Sequence, residues 1–304
     1  MIKPREQAAL LALTEASPRP WHEVAALVED VGSAIAVVDG SATVFDDTWS
    51  ELLRVLSEQT TDEMVDRWGE TIADVLRRVS LSHLVTVLDD DYPENLRKVY
   101  NHPPFLFVRG SLTPEDSRSV AVVGTRRASP EGRQRAFDLA FELARRGVTV
   151  ISGMAAGIDT SAHTGAIEGG GRTVAVMGTG IDGVYPKQNA GLAEEIVNHG
   201  ALISQFWPGA PPRSSNFPLR NVVTSGIAVG TVVIEANATS GAKMQARLAL
   251  EHGKRVLLMD DLVMHEEWAQ RYSKRRGAQV VTSVDDILDV LDKERAIPTA
   301  LQLF

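Results

Sequence analysis

The sequence predicts an α/β protein with a doubly wound, mostly parallel sheet and a small helical domain at its N-terminus. Short apolar, β-branched segments alternate with helical patterns from Val120 onward, and no hairpin signal separates them. This alternation is typical of parallel strands joined by crossover helices. Glycines and small polar residues follow these strands, as they do where open α/β sheets bind ligands. The first 84 residues instead carry apolar residues at helical spacing.

We place the domain boundary after residue 84. Residues 1–84 are expected to form the helical domain and residues 85–304 the sheet domain, with 85–118 as an extension of strands and linker. The predicted N-terminal helices are Glu6–Ala16, Trp21–Val28, Asp47–Ser57 and Asp62–Val79. Their tryptophans recur with leucine and valine at helical spacing, which favours a packed core over a ligand platform.

The segment from residue 120 to 159 is the centre of the predicted sheet. Val120–Val123 is a short apolar segment of the kind that is buried on both faces of a parallel sheet. Ser129 is the expected N-cap of the following helix, with Pro130 in its first turn, and Gly147 ends that helix. A second buried strand, Val148–Ile151, follows.

The alternation continues on both sides of this segment. Further strands are predicted at Val85–Val87, Phe105–Val108, Thr173–Met177, Ala201–Ser204, Thr231–Ile234, Arg255–Leu258 and Gln279–Val281. Further helices are predicted at Ser161–Glu168, from about Asn189 to Val197, and at Leu219–Ile227, Ser240–Glu251, His265–Arg275 and Val284–Leu291. Phe206–Pro218 is longer than an ordinary connection, so a functional loop is expected there.

Composition excludes several classes of protein. The 304 residues contain no cysteine, which excludes disulfides and thiolate metal sites, and the histidines lack metal-ligand spacing, so we predict no metal and no cofactor. The N-terminal apolar segment is too short for a signal peptide or a membrane span, so a cytoplasmic protein without membrane contact is expected. The net charge of −9 argues against a generally basic nucleic-acid binder but allows a local basic groove.

Residues at the carboxyl ends of the strands are expected to converge on one edge of the sheet. There, glycines let backbone N–H groups approach a phosphate, and basic or aromatic side chains add charge and stacking. The predicted binding residues are Gly124, Thr125, Arg126, Arg127, Ser152, Gly153, Gly157, Gly180, Tyr185, Lys187, Asn189, Phe217, Arg220, Asn221, Ser240, Gly241 and Lys243. Neither GxGxxG nor GxxxxGK[ST] occurs, which disfavours a classical dehydrogenase or ATPase.

Three other residues leave alternatives open. Glu235, at the end of a predicted buried strand, is either an acid/base group or the partner of Arg220 in an ion pair, because a buried carboxylate needs a partner. Asp159 is a second acid/base candidate, although a helix cap is the simpler interpretation. His163 is either a base or, more simply, a structural hydrogen-bonding group.

From Asp91 to about Leu258 the chain resembles the DNA-processing protein A family (DprA, also called Smf). The resemblance rests on DDYPENLRKVYNHPPFLFVRGSL, VAVVGTRRASPEG, VISGMAAGIDTSAHTGAIEGGGRTVAVMGTGIDGVYPKQN, GALISQFWPG, NFPLRN and VVIEANATSGA, in that order. It implies an extended Rossmann-like fold that binds single-stranded DNA without sequence preference, protects it, and helps to load the recombinase RecA during natural transformation. It also implies a homodimer without known catalytic activity.

The resemblance assigns individual residues as well. Arg126 matches the phosphate-contacting arginine of the family, and Lys187 matches a basic position that contacts DNA. Phe217, Arg220 and Asn221 match the segment that completes the groove, and Gly153 and Gly157 match the loop that approaches the DNA backbone.

The chain also departs from the family pattern. Gln205 replaces a glutamate and Val222 replaces an arginine, a loss for which Lys243 is a candidate compensation. SGAKMQA stands where the family has S-G-S-L-x-T-A, and Met259-Asp260 stands where it has P-G. The C-terminal winged-helix domain of many members is expected to be absent. A divergent member is therefore expected, in which RecA loading is the implied property least supported by the residues.

The leading hypothesis is a single-stranded-DNA-binding protein of recombination or natural transformation. A nucleotide sensor or nucleotide-cleaving enzyme of the same superfamily, for example in a defence system, is the alternative; Glu235 or Asp159 would then serve as acid or base. A third hypothesis is a scaffold whose N-terminal helices dock another protein.

Overall fold

The computed structural model describes residues 4–44 and 47–296; the predicted domain ends at 1–3 and 297–304 lie outside the described residues. The strands are β1 Ser82–Thr86, β2 Phe105–Gly110, β3 Ser119–Val123, β4 Thr149–Ser152, β5 Thr173–Val176, β6 Gly200–Ser204, β7 Gly230–Val233, β8 Arg255–Met259 and β9 Ala278–Val281. The predicted strand at 85–87 corresponds to β1, which begins and ends earlier than predicted. The division into two domains after residue 84 stays a prediction.

Within the described ranges, nine strands form one sheet in the order β1-β2-β6-β5-β4-β3-β7-β8-β9. The pairs β1–β2 and β2–β6 are antiparallel, and all other neighbours are parallel. All five residues of β3 are buried, as expected for a strand covered on both faces. The predicted doubly wound α/β class is therefore confirmed, and the strand order reverses at β3, between β4 and β7.

The α-helices are α1 Pro4–Ala16, α2 Trp21–Val31, α3 Ala34–Val38, α4 Asp47–Gln59, α5 Asp62–Arg78, α6 Glu94–Arg97, α7 Pro130–Arg145, α8 Ile158–Glu168, α9 Ala190–His199, α10 Asn216–Ile227, α11 Gly241–Glu251, α12 Asp260–His265, α13 Glu267–Tyr272 and α14 Val284–Ala296. Short 3-10 helices span Pro114–Ser117 and Lys187–Asn189. The predicted helical N-terminus is confirmed. Helix α1 is buried all round from Ala8 to Thr14 and packs against α2 to α5, so it is the central helix of that bundle.

An aromatic cluster joins the N-terminal helices to the sheet. The ring of Trp207, in the loop after β6, lies 4.9 Å from Trp21 of α2, 4.6 Å from Trp68 of α5 and 4.9 Å from Phe105 of β2, measured between centroids. These separations are within the range in which aromatic pairs attract each other. The prediction that the tryptophans of this region belong to the core is confirmed for Trp68, which is 8% exposed.

The two serine caps predicted at the sheet edge are confirmed. The Ser129 hydroxyl accepts a hydrogen bond of 2.9 Å from the N–H of Gly132, and Pro130 is the first residue of α7. The Ser240 hydroxyl accepts one of 3.2 Å from the N–H of Ala242 at the start of α11. Both caps satisfy N–H groups that a helix leaves free at its N-terminus.

Helix α3 was missed by the sequence prediction. Its N-cap hydroxyl, on Ser33, donates to Glu6 of α1 at 2.7 Å, and Glu6 also accepts hydrogen bonds from the N–H groups of Ala34 and Ile35. A residue nearly thirty positions away thus satisfies the first turn of this short helix, and local spacing contains no signal for such a contact.

Two predicted boundaries near the sheet edge were wrong. Helix α10 begins at Asn216 rather than after Pro218, because a proline fits in the first turn of a helix. The single helix predicted at 265–275 is two short helices, interrupted by the extended backbone of Glu266. After this break the buried Trp268 donates a hydrogen bond of 3.0 Å to the Ala236 carbonyl, which turns the second helix into the core.

No helix in the described ranges is long and apolar enough to cross a membrane.

The aromatic cluster predicts an unequal effect of two tryptophan replacements. Trp207→Ala should lower the free energy of unfolding by roughly 2–4 kcal/mol, because it removes a large side chain from contact with three rings. Trp49→Ala, at a half-buried tryptophan of α4, is the control and should cost roughly 1 kcal/mol. Urea unfolding followed by circular dichroism measures both, and equal losses would contradict the assignment.

Candidate nucleic-acid interface

The loops that follow β3, β4 and β7 line an open cleft of about 840 Å³ with residues of α10, α11 and α12; we call it the strand-end cleft. It lies where the strand order reverses, which is the usual ligand position of a doubly wound sheet. Of the residues singled out from the sequence, the cleft contains Gly124, Thr125, Arg126, Arg127, Gly153, Asp159, Phe217, Arg220, Asn221, Glu235, Ser240 and Gly241. Most of the predicted site is thus brought together.

A smaller cavity of about 190 Å³, the side cavity, adjoins the strand-end cleft. The two share Arg126, Phe217 and Arg220, and Tyr185 lines only the side cavity. The guanidinium carbon of Arg126 lies 4.8 Å from the centroid of the Phe217 ring, and the Tyr185 ring lies 6.1 Å from Phe217. The shared wall therefore combines a cation with the face of Phe217, and Tyr185 adds a second aromatic ring on the side-cavity side.

Arg126 and Arg127 form the exposed edge of the cleft. Both side chains are exposed, and neither forms an ion pair within the described part of the chain, whereas the neighbouring Arg135 is paired with Asp261. The loop that bears them is held in place: the N–H of Thr125 donates to the Glu235 carbonyl at 2.7 Å, and the N–H of Arg127 donates to the Thr125 hydroxyl at 3.2 Å. Two exposed cations on an anchored loop are therefore available to an anionic ligand.

Arg220 lies deeper, packed against Gly153. A Cβ atom at Gly153 would overlap both the guanidinium of Arg220 and the carboxylate of Asp159, so a side chain at this position would displace one or both of these groups. Arg220 donates to the Val176 carbonyl at 2.8 Å, and its buried Nε has no hydrogen-bond partner among the described residues. Burial, partly offset by Asp159, lowers the pKa of Arg220 from its ordinary value, and the nearby Arg126 lowers it further.

Asp159 does not cap α8 as predicted. The N-cap of that helix is Gly157, and Asp159 is inside the first turn, where its carboxylate accepts a hydrogen bond of 3.3 Å from the N–H of Ala155. It therefore fixes the loop before the helix. Burial raises the pKa of Asp159 above its ordinary value, and the positive charge of Arg220 opposes this shift.

Glu235 does not pair with Arg220, so the ion-pair interpretation was wrong. Its carboxylate accepts a hydrogen bond of 2.7 Å from the Ser129 hydroxyl and one of 3.1 Å from the Ser129 N–H. A Cβ atom at Gly132, in the first turn of α7, would overlap this carboxylate. Glu235 therefore lies at the N-terminus of α7, where the helix dipole favours a negative charge.

Six predicted binding residues line neither cavity: Ser152, Gly157, Gly180, Lys187, Asn189 and Lys243. The structure gives some of them other contacts. The buried Ser152 hydroxyl donates to the Val122 carbonyl at 2.6 Å. The amide of Asn189 donates to the Met154 carbonyl at 2.8 Å, and Nζ of Lys243 donates to the Ala238 carbonyl at 3.2 Å. Lys187 is exposed beside Pro186 and Gln188, which line the side cavity.

His163 is fully buried and has the structural role that was the simpler interpretation. Its Nε2 lies 2.6 Å from the Gly153 carbonyl and its Nδ1 lies 2.6 Å from the Thr173 hydroxyl. Because a carbonyl only accepts, Nε2 carries the proton of the neutral ring, and the Thr173 hydroxyl lies between Nδ1 and the Val150 carbonyl, which is 2.8 Å from it. Burial lowers the pKa of His163 to about 4, so the ring is neutral at pH 7 and supports Gly153 directly below the cleft.

Gln245 of α11 also lines the cleft and was missed from the sequence. It is 2% exposed, and neither atom of its amide has a hydrogen-bond partner within the described ranges. A glutamine in the middle of a helix has no sequence signal that separates it from a surface residue. The described residues contain no group of three or more His, Asp or Glu side chains that could hold a metal ion.

The family model and the similar proteins agree on one family. Residues 83–292 match the family model described as DNA recombination-mediator protein A. The chain is 35% identical over 204 residues to the DNA processing protein DprA of Streptococcus pneumoniae, which covers 67% of this chain and 72% of that relative. It is 36% identical over 211 residues to the protein Smf of Escherichia coli, which covers 69% of this chain and 56% of Smf.

Solved structures agree with the fold. The X-ray structure of DNA processing protein A from Streptococcus pneumoniae superposes with a TM-score of 0.73 at 29% identity, over 95% of this chain and 98% of that one. A structure that describes the single-stranded DNA binding mode of DNA processing protein A from Helicobacter pylori superposes with a TM-score of 0.62 at 24% identity, over 70% of this chain and 96% of that one. At that identity the second likeness concerns the fold alone.

The buried histidine predicts how stability depends on pH. The pKa of His163 is lowered in the folded state, so between about pH 6.5 and 4 the unfolded chain binds a proton that the folded chain does not, and stability falls as the pH falls. The contribution that is lost is of the order of 3 kcal/mol. Urea unfolding at pH 7 and pH 4.5 should show a smaller pH-dependent loss in His163→Gln than in the wild type.

His252, whose pKa is also lowered to about 4, is unchanged in that variant, so the difference between the two proteins isolates His163. An identical pH dependence of the two proteins would refute the assignment.

Proposed function

The chain belongs to the DNA recombination-mediator protein A family, and on that basis we propose that it is a DNA-processing protein of recombination or natural transformation that binds single-stranded DNA. The observation that carries the proposal is the pair of exposed arginines, Arg126 and Arg127, which form no ion pair with a described residue at the edge of the strand-end cleft. The DNA backbone is the anionic ligand that this edge would hold.

The arrangement of positive charge and aromatic rings favours single-stranded over double-stranded DNA. Single-stranded DNA is held by cations that follow its backbone and by aromatic rings on which unpaired bases stack. Arg126 lies over Phe217, and the neighbouring Tyr185 is 43% exposed, so one short stretch of surface offers both kinds of contact. Contacts to phosphates and to ring faces carry little sequence information, which agrees with non-specific binding.

With a net charge of −9 the protein as a whole repels DNA, so the binding of a strand depends on the positive charge of this region. Attraction to a phosphate acts over roughly 8–10 Å at physiological salt, so the local arginines rather than the total charge determine whether a strand approaches. Affinity should therefore fall steeply as salt rises, because each phosphate contact releases condensed counterions.

The enzyme alternative has less support from the geometry. The carboxylate of Glu235 is hydrogen-bonded to Ser129 at the N-terminus of α7, and that of Asp159 is bonded to Ala155 beneath the cleft. We therefore propose that the protein acts by binding rather than by catalysis. A homodimer, a RecA-type recombinase as partner, and a cytoplasmic location are further proposals that rest on the family resemblance.

Replacing Arg126 tests the proposed function. Arg126→Ala should weaken binding to a thymine oligonucleotide roughly tenfold at low salt, because a charge-assisted contact is lost. The plot of log affinity against log salt concentration should become shallower by about 0.7, the value for one phosphate of a single strand. Fluorescence anisotropy at several salt concentrations measures both quantities.

Arg247→Ala is the matched control. Arg247 is exposed on α11 and paired with Glu251 at 3.2 Å, and it does not line the strand-end cleft. Its replacement removes the same charge and should leave the affinity unchanged. The proposal fails if the wild type does not bind at low salt, or if the two variants lose the same affinity.

A further inference from the structure

A basic segment that the strand-end cleft does not include lies just before β9, the last strand in the order of the sheet. Residues 273–277 join α13 to β9, and we call them the basic turn. Lys274, Arg275 and Arg276 follow one another there, and all three side chains are exposed. Residues 268–284 contain no aspartate or glutamate, although the whole chain has a net charge of −9. Positive charge is therefore concentrated at a second place on an acidic protein.

The three cations of the basic turn form no ion pair within the described part of the chain. Acidic side chains on neighbouring elements are paired with other arginines, as in the pairs Glu267–Arg271 and Glu294–Arg255. Like charges this close repel one another, and in the free protein only water and dissolved ions reduce that repulsion. The turn is therefore suited to an anion with several negative charges.

The backbone of the basic turn is anchored to its neighbours. The N–H of Ala278 donates to the Arg275 carbonyl at 3.0 Å, and the Gly277 carbonyl accepts a hydrogen bond of 2.9 Å from the N–H of Val256 in β8. The guanidinium carbon of Arg275 lies 4.2 Å from the ring centroid of the buried Tyr272. This cation–π contact positions one of the three cations.

The basic turn and the strand-end cleft lie at opposite edges of the sheet. The turn precedes the first residue of β9, whereas the cleft is formed by loops that follow strands parallel to it. Strand spacing and the rise per residue separate the turn from the loop after β3 by roughly 20 Å. This distance exceeds the screening length of about 8 Å at physiological salt, so the two basic regions attract anions independently.

We propose that the basic turn is a second binding surface for the backbone of the DNA strand, so that one protein molecule holds two separate segments of it. This inference rests on the proposed binding of single-stranded DNA. A strand carries a phosphate at every nucleotide, so cations can bind any segment of it without reading bases. A strand that already occupies the cleft gains affinity from the turn, because the second contact forms within one complex.

Two other roles for the basic turn lead to different expectations. Positive charge beside an edge strand discourages pairing with another sheet, and this role requires no effect on DNA binding. An acidic protein would also be attracted, but protein interfaces usually have an apolar centre. Val280, which is 40% exposed, is the only large apolar side chain exposed in residues 268–284. The composition of the surface therefore favours a polyanion.

The experiment measures the binding of two thymine oligonucleotides by fluorescence anisotropy at several salt concentrations. One has about 6 nucleotides and fits a single site, and the other has about 40 and can reach both. In Lys274→Gln/Arg275→Gln/Arg276→Gln, the turn variant, affinity for the long strand should fall at least about tenfold at low salt. Its plot of log affinity against log salt concentration should become shallower by about 2, the value for three phosphates of a single strand. Binding of the short strand should not change.

Arg5→Gln/Arg54→Gln/Arg77→Gln is the matched control. It replaces three exposed arginines of the N-terminal helices, each paired with a carboxylate, and changes the net charge by the same amount. Because these residues lie outside both basic regions, the control should leave the salt dependence of both strands unchanged.

The outcomes distinguish this inference from the function on which it rests. If the turn variant binds the long strand as the wild type does, or loses as much affinity for the short strand as for the long one, only the second surface is overturned. If neither strand binds the wild type at low salt, the proposed function fails and this inference fails with it. The molar mass of the turn variant, measured by light scattering, should equal that of the wild type. A different mass would make the turn a contact between copies of the chain and would also overturn the inference.

Discussion

The packing of the Arg220 guanidinium onto the bare Cα of Gly153 is the constraint on which the site depends. It joins the loop after β4 to α10, and its hydrogen bond to the Val176 carbonyl joins both to the end of β5. His163 supports the same glycine from below, through a bond to its carbonyl. Three consecutive crossover units of the sheet are thus held together at one point, and the cleft takes its shape from that point.

The same constraint connects the site to the N-terminal helices. Helix α10, which carries Phe217, Arg220 and Asn221, follows the loop that contains Trp207. Trp207 is half-buried and contacts rings from α2, α5 and β2, and its carbonyl accepts a hydrogen bond of 3.0 Å from the N–H of Ala210 further along the loop. The N-terminal helices therefore anchor the start of the segment that completes the cleft.

The local sequence pattern predicted the strands, most helices and the meeting of the binding residues at one edge of the sheet. Each of these depends on burial or on a glycine at a strand end. It could not predict interactions over long sequence distances. Glu6 stabilises α3 from another helix, and Glu235 reaches Ser129 rather than Arg220, since position at a strand end does not determine side-chain direction. Gln245 escaped notice for a related reason: whether a helical amide is paired depends on neighbours that only the folded chain defines.

The distribution of ion pairs explains how an acidic protein can retain a surface for a polyanion. Away from the cleft many arginines are neutralised, as in the pairs Arg109–Glu194 and Arg172–Asp116. Arg126 has no such pair within the described ranges, and its positive charge disfavours the charged form of the half-buried Arg220. A bound anion would add a second negative charge to that of Asp159 and would favour the charged form of Arg220. Binding and stability are therefore linked, since a ligand that binds only the folded chain stabilises it.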